Sequence, residues 1–306
     1  MKGFLSQAAV HCFPLGCAGL LTFLSVSGAY AQSSESAPAS EVDPNKRSVQ
    51  EDDAARAMSS EVNDPTAPLS LIQFRNVLAP SVPGADGPAN LFEIQPVLPV
   101  SSSYGIPFDQ LIKITLPIGT TPDPGRTTGL GDFQIFDLVT IKQSWGRWGL
   151  GPTLLFPTAT SDSLGQGKWQ AGPAAAFMVT AVKHLQMGAV FQNPISFAGD
   201  SSRDRVNALS ITPTLTYNLP GGWFGGHSDF DWIIDWQNGG EATIPIGLQI
   251  GKVFALGSVP FSFSIEGAYN VRRASGEPEW LVGIELNWIL PKHSKGLLDT
   301  STRVQE

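Results

Sequence analysis

The chain has 306 residues, a formal net charge of −8 and only 15% charged residues. That acidic balance excludes a nucleic-acid binder, because such binding is driven by Lys and Arg neutralising phosphates. Both cysteines, Cys12 and Cys17, fall in the first thirty residues, so the remainder has no disulfide, no thiol nucleophile and no thiolate metal site.

The opening segment reads as an export signal. Lys2 gives a positive start, an apolar run extends from Phe13 to Val26, and Ala29-Tyr30-Ala31 forms an A-x-A cleavage pattern before Gln32. The apolar run is shorter than the roughly 20 residues a membrane-crossing helix needs. A lipoprotein signal with Cys17 as the acylated residue is the competing reading; Pro14 stands where such signals carry leucine.

Residues 32–68 are rich in Ser, Glu, Asp, Ala and Pro and poor in large apolar side chains. Such a segment buries too little surface to offset its ordering entropy, so a disordered periplasmic tail is expected there. A short amphipathic helix over Val49–Met58 is the alternative.

Residues 69–291 repeat one unit, a strand-like stretch of eight to fourteen residues followed by a turn. Twelve strands are expected, near 69–79, 91–99, 111–118, 132–143, 147–157, 170–182, 185–197, 207–219, 223–236, 241–254, 259–271 and 280–290. Period-two alternation marks them, since successive strand side chains point to opposite faces. Ile112, Ile114, Leu116 and Ile118 oppose Lys113 and Thr115. Leu209, Ile211, Leu215 and Tyr217 oppose Ser210, Thr212, Thr214 and Thr216. Phe230, Trp232, Ile234 and Trp236 oppose Asp229, Asp231 and Asp235. Val259, Phe261, Phe263, Ile265 and Tyr269 oppose Ser262, Ser264, Glu266 and Asn270. In the last strand Trp280, Val282, Ile284, Leu286 and Trp288 oppose Gly283, Glu285 and Asn287. At 132–143 and 170–182 apolar or small residues occupy both faces, and the facing is left open.

Short turns at Ser144–Gly146, Lys183–His184, Pro220–Gly222 and Ala255–Ser258 alternate with longer polar loops at 119–131, 158–169, 198–206 and 272–279. An even strand number with alternating short and long connections is the pattern of bacterial outer-membrane barrels. The expected fold is therefore all-β, a closed antiparallel up-and-down transmembrane β-barrel with both termini in the periplasm. Residues 292–306 read as a flexible C-terminal tail.

A soluble β protein shows the same alternation with the opposite sense, apolar inward. Three features favour the membrane. The polar faces are dominated by Ser, Thr, Asn, Gln and Gly, with isolated Asp and Glu and few Lys. Trp145, Trp148, Trp169, Trp223, Trp236, Trp280 and Trp288 gather near strand ends, where amphipathic rings form interfacial girdles. Gly283, Leu286 and Trp288 resemble the C-terminal signal read by the barrel-assembly machinery, although the chain continues to Glu306.

Several motifs then carry a family likeness: Ala89-Asn90-Leu91-Phe92-Glu93-Ile94-Gln95-Pro96-Val97-Leu98-Pro99, Gly129-Leu130-Gly131-Asp132 and Trp148-Gly149-Leu150-Gly151-Pro152. Phe156-Pro157-Thr158-Ala159-Thr160, Leu164-Gly165-Gln166-Gly167-Lys168-Trp169-Gln170-Ala171-Gly172-Pro173, Ser196-Phe197-Ala198-Gly199-Asp200 and Glu279-Trp280 continue it. Over about residues 70–292 the chain resembles the outer-membrane family named after the MetA pathway of phenol degradation, whose members also go by "transporter" or "neuromedin U". The resemblance implies an outer-membrane barrel with a transport role and carries over no catalytic residue. On the residues alone, Gly151-Pro152 and Gly172-Pro173 read as matched bends in neighbouring strands.

Chemistry elsewhere is sparse. Gly165-x-Gly167-Lys168 lacks the Ser or Thr and the following helix of a phosphate loop. Asp231 and Asp235 share a strand face but stand about 13 Å apart at strand rise, too far for one metal ion. They fit a pore lining, or a salt-bridge network with Arg75 or Lys113. Asp200, Arg203, Asp204 and Arg205 read as a solvated turn, with calcium or a lipopolysaccharide phosphate as the sharper alternative. Only His227 of the four histidines lies on a strand, with no nucleophile motif nearby.

The sequence thus predicts a passive channel for small molecules, with hydrophobic or aromatic solutes suggested by the family name, and no enzyme. No cofactor or metal is expected. Arg75, Glu93, Lys113, Asp231, Asp235, Glu266 and Glu285 are the expected pore-lining residues, and Trp148, Trp169, Trp223, Trp236, Trp280 and Trp288 the expected interface aromatics. Outer-membrane lipids, lipopolysaccharide, the assembly machinery and a small solute are the expected partners. The alternatives are a non-transporting scaffold or adhesin and a membrane-embedded lipid-modifying enzyme.

Overall fold

The structure, a computed structural model, describes residues 44–102 and 108–290. The export signal 1–31, with Cys12 and Cys17, and the C-terminal tail 292–306 lie outside the described residues.

Twelve strands form one ring. They are β1 (Leu71–Ala79), β2 (Ala89–Val100), β3 (Gln110–Thr120), β4 (Thr128–Leu130 and Phe133–Gln143), β5 (Gly146–Phe156) and β6 (Lys168–Val179). The second half comprises β7 (Leu185–Gln192 and Ile195–Gly199), β8 (Ala208–Asn218), β9 (Trp223–His227 and Trp232–Asp235), β10 (Glu241–Leu256), β11 (Val259–Arg272) and β12 (Trp280–Ile289). Each strand pairs antiparallel with its sequence neighbours, and β12 closes the ring on β1 from Leu71↔Ile289 to Leu78↔Val282. All twelve expected strands are present. Closure removes the exposed sheet edges that an open sheet would present.

The alternation of burial fixes the sense of the two faces. In β11, Ser262, Ser264, Glu266, Ala268 and Asn270 are buried, while Phe263, Ile265, Gly267 and Tyr269 are exposed. In β12, Leu281, Gly283, Asn287 and Ile289 point inward, and Val282, Ile284 and Trp288 point outward. The outward side carries Leu248 at 75% exposure and Ile250 at 49%, while the inward Thr216 and Gln186 are at 0% and 1%. Polar side chains therefore line the interior over much of the barrel, and apolar ones cover its outside.

The facing left open at 132–143 and 170–182 is settled by packing. Phe136 and Leu138 of β4 meet Ala174 and Ala176 of β6 and Val190 of β7 in a buried inward cluster, and Phe177 turns outward. Pro152 and Pro173 stand directly opposite each other on β5 and β6, so the two Gly-Pro pairs do form a matched pair. β7 breaks beside them at Asn193-Pro194, where Asn193 N donates to Pro173 O at 3.0 Å.

In the described part of the 32–68 tail, residues 44–68, a helix replaces the expected disorder, and the alternative helix over Val49–Met58 falls inside it. Helix α1 (Pro44–Val62) is ordered there and lies against the turn Pro220–Gly222 and the adjoining strand ends. The sequence permits it locally, because Ala54, Ala55, Ala57 and Met58 are good helix formers and proline is tolerated at a first helical position. What holds it is mostly polar. Ser59, fully buried, donates to Asn218 Oδ1 at 2.6 Å, Gln186 Nε2 donates to Ser60 O at 2.8 Å, and Gly221 N donates to Asp52 Oδ1 at 3.1 Å. After the helix, Asp64 accepts from Thr66 N and pairs with Arg147 at 2.9 Å, and Ala67 and Leu69 join Leu71 and Ile289 in a small buried cluster. The composition argument failed because ordering here comes from hydrogen bonds to inward barrel side chains rather than from an apolar face.

Candidate lumen site

Arg75 of β1 centres a charged belt inside the barrel. Across the sheet it stands beside Glu93 of β2 and Glu285 of β12. Its Nη2 and Nε donate to Glu266 Oε1 of β11 at 2.9 and 3.2 Å. Glu266 Oε2 accepts from Asp229 N at 2.8 Å, and Arg75 Nη2 also donates to Asp229 O at 3.0 Å. Gln249 of β10 donates to Asp229 Oδ2 at 3.0 Å. Gly283, paired with Glu266, leaves the space the carboxylate fills; a Cβ built there would overlap it.

The remaining members extend this belt. Glu93 accepts from Gln95 Nε2 at 3.0 Å, Lys113 donates to Gln73 Oε1 at 3.1 Å, and Glu285 accepts from Asn287 Nδ2 at 2.7 Å. Asp231 accepts from Thr212 Oγ1 of β8. A second inward group joins Gln192 of β7 to Gln134 and Thr153 at 2.7 and 3.0 Å. The belt holds two cations, Arg75 and Lys113, against the carboxylates Glu93, Asp229, Asp231, Glu266 and Glu285, so its formal charge is negative. Its field favours cations and neutral solutes over anions.

Of the expected lining residues, Arg75, Glu93, Lys113, Asp231, Glu266 and Glu285 are inward and belong to the belt. Asp235, opposite Ala208 on the face of inward Ser210, lies at the long-loop rim, outside the belt. It ends β9 and caps the following turn, accepting from Gln237 N at 2.8 Å and Asn238 Nδ2 at 2.6 Å. Of the two readings of Asp231 and Asp235, a pore lining or a salt-bridge network, Arg75 does not supply the second, since its carboxylate partner is Glu266.

Sequence reading missed the inward bulge of β9. Between Ile211↔Trp232 and Thr216↔Gly226, four residues of β8 face five of β9. The extra residue reverses the phase of the alternation, as a β-bulge does. Phe230, expected to face outward with Trp232, is instead 4% exposed and packs inside against Val77, Leu91, Ala268 and Leu281. The Arg75 guanidinium lies 5.2 Å from its ring centroid. A strand count against its neighbours was the only sequence signal for this, since Asp229-Phe230-Asp231-Trp232 mimics perfect alternation.

The aromatic residues sit as two outward sets. Trp223 and Trp288 lie toward the short-turn end with half-buried Trp148, and Trp169, Trp236 and Trp280 lie toward the long-loop end. Trp236 Nε1 donates to Asn193 Oδ1 at 3.0 Å, and Trp280 packs on Tyr269 at 5.0 Å between ring centroids.

Among the long loops, Asp132 gathers the backbone of residues 158–166. Ala159 N donates to its Oδ1 at 3.2 Å and Gln166 N to its Oδ2 at 2.6 Å, and burial is the main cause raising its carboxyl pKa. Lys168 opens β6 and donates to Asp200 O, so the Gly165–Lys168 stretch is a loop entering a strand. Arg203 pairs with Asp162 at 3.5 Å and donates to Gly165 O, tying the two loops together. No family model matches the chain, and no curated protein matches it.

Proposed function

We propose that the chain is an exported outer-membrane β-barrel that passes small molecules by diffusion. One observation carries this reading: apolar side chains cover the outside while amides, hydroxyls and charges are enclosed. Water outside would make that arrangement costly, whereas lipid outside makes it favourable. The two outward aromatic sets and the likeness to the MetA-pathway family agree with it. Lipids and lipopolysaccharide would then surround the barrel, and the assembly machinery would insert it.

Cell fractionation with a heat-shift gel tests the location: the protein should sit in the outer-membrane fraction and migrate faster unboiled than boiled. Planar bilayers test the transport. Conductance should rise when residues 32–62 are deleted, because α1 is seated at the short-turn mouth, and its cation preference should weaken on Glu266→Gln.

The same helix favours a second reading, a closed barrel serving as a scaffold. Bilayers that stay silent after the deletion, with the barrel still folded by gel shift, would support that reading over a channel.

A further inference from the structure

The barrel wall is interrupted at one place. On β8, Thr212–Leu215 pair with β7 on one side, as in Thr212↔Val190 and Leu215↔Met187, but none of them pairs with β9. Four residues at strand rise make a gap of about 13 Å along the wall. The β9–β10 ladder stops over the same stretch, between His227↔Leu248 and Ile233↔Thr243, with Ser228 N donating to Gly247 O at 3.2 Å. The missing wall has folded inward as Ser228–Asp231.

Unpaired backbone does not face hydrocarbon; in a membrane barrel it persists where it lines a cavity or a path. The inner side of this gap is built. Asp229 is tethered by Arg75, Glu266 and Gln249, so the bulge is held away from the wall. Phe230 packs at the long-loop end in a buried apolar cluster with Val77, Val82, Leu91 and Leu281. Ser228 Oγ and Asp229 Oδ1 are buried there without a protein partner among the described residues, and so is Nε2 of His227, which stands opposite the outward Leu248. On the outer side Trp232 packs edge-on to His227 at 6.2 Å, beside exposed Leu215 and Leu248. The straight route down the barrel is crossed by the Arg75–Glu266–Asp229 network and then by α1, both polar obstacles to an apolar solute.

Resting on the outer-membrane reading above, we infer that the β8–β9 gap is a lateral portal, through which small apolar molecules with one polar group pass between the apolar cluster around Phe230 and the bilayer. The side chains of that cluster move apart around the apolar body of the solute. The unpartnered groups at residues 227–229 take its polar end as it turns toward the wall. Polar solutes have no such exit, because the outside of the gap is lipid.

The test uses cells whose lipopolysaccharide surface excludes N-phenyl-naphthylamine, a probe that fluoresces on entering the bilayer. A polar chromogenic substrate cleaved in the periplasm serves as the second probe. Thr214→Trp fills the gap from the lumen side, and entry of the aromatic probe should fall by about tenfold or more, as expected for a filled constriction. Thr214→Cys with Ser228→Cys, bridged by a short bismaleimide in a chain with no other cysteine after Cys17, closes the same gap in an already folded barrel. Unbridged, the pair should admit the probe; bridged, it should not. Probe entry that depends on expression but survives both closures overturns the portal and leaves the channel standing. Entry of neither probe, with or without α1, overturns the channel and the portal together.

Discussion

Replacing Arg75 by methionine is the sharpest perturbation of the lumen. The side chain is 15% exposed and that of Glu266 only 5%, so water cannot take over the ion pair. Glu266 would keep the Asp229 N–H at 2.8 Å but lose both guanidinium bonds, at 2.9 and 3.2 Å. Breaking a buried pair by removing one partner costs about 3–5 kcal/mol, because a desolvated charge is left behind. The bulge also loses the bond to Asp229 O, so the cost should reach the upper half of that range. The double variant Arg75→Met with Glu266→Met removes the stranded charge and should recover most of the loss. Denaturant unfolding of the refolded barrel in lipid vesicles, scored by the unboiled gel band, measures both. A single-variant cost below about 1 kcal/mol, the value of a water-exposed pair, would refute the burial of this ion pair.

Three further outcomes follow from particular contacts. Gly283→Ala should push Glu266 off its partners and destabilise the barrel by about 1–3 kcal/mol in the same assay, as overpacking does. Leu248→Arg, at the most exposed outward apolar position in the described strands, should cost about 2–4 kcal/mol in vesicles if that position lies near the midplane. Ser59→Ala removes the buried bond to Asn218 Oδ1 and strands its amide neighbourhood, so α1 should become accessible to protease while the strands stay folded.

How much was legible depends on what each strand packs against. β11 and β12 alternate strictly because one face meets polar lumen partners and the other faces outward, so their register is written in every residue. β4 and β6 were illegible in facing because the lumen beside them is itself apolar, with Phe136, Leu138, Ala174 and Ala176 turned inward. β9 was misleading: a one-residue bulge moved Phe230 inside while leaving the local pattern intact. The charged belt was largely legible, since Arg75, Glu93, Glu266 and Glu285 sit at inward positions of clear strands. Its organisation was not, because Glu266 and Asp229 are 37 residues apart and meet only through the bulge. Helix α1 was legible only as the alternative over Val49–Met58, because what anchors it, Gln186 and Asn218, belongs to strands far along the chain.

Single cysteines placed in turn at positions 281 through 287 of β12, labelled with an environment-sensitive dye in reconstituted protein, test directly which side of the wall meets lipid. Emission should alternate with period two, blue-shifted and quenched by nitroxide lipids at 282, 284 and 286, and insensitive to those lipids at 281, 283, 285 and 287. Quenching on the odd positions instead, or none anywhere in the strand, would contradict a barrel that faces the bilayer with its apolar side.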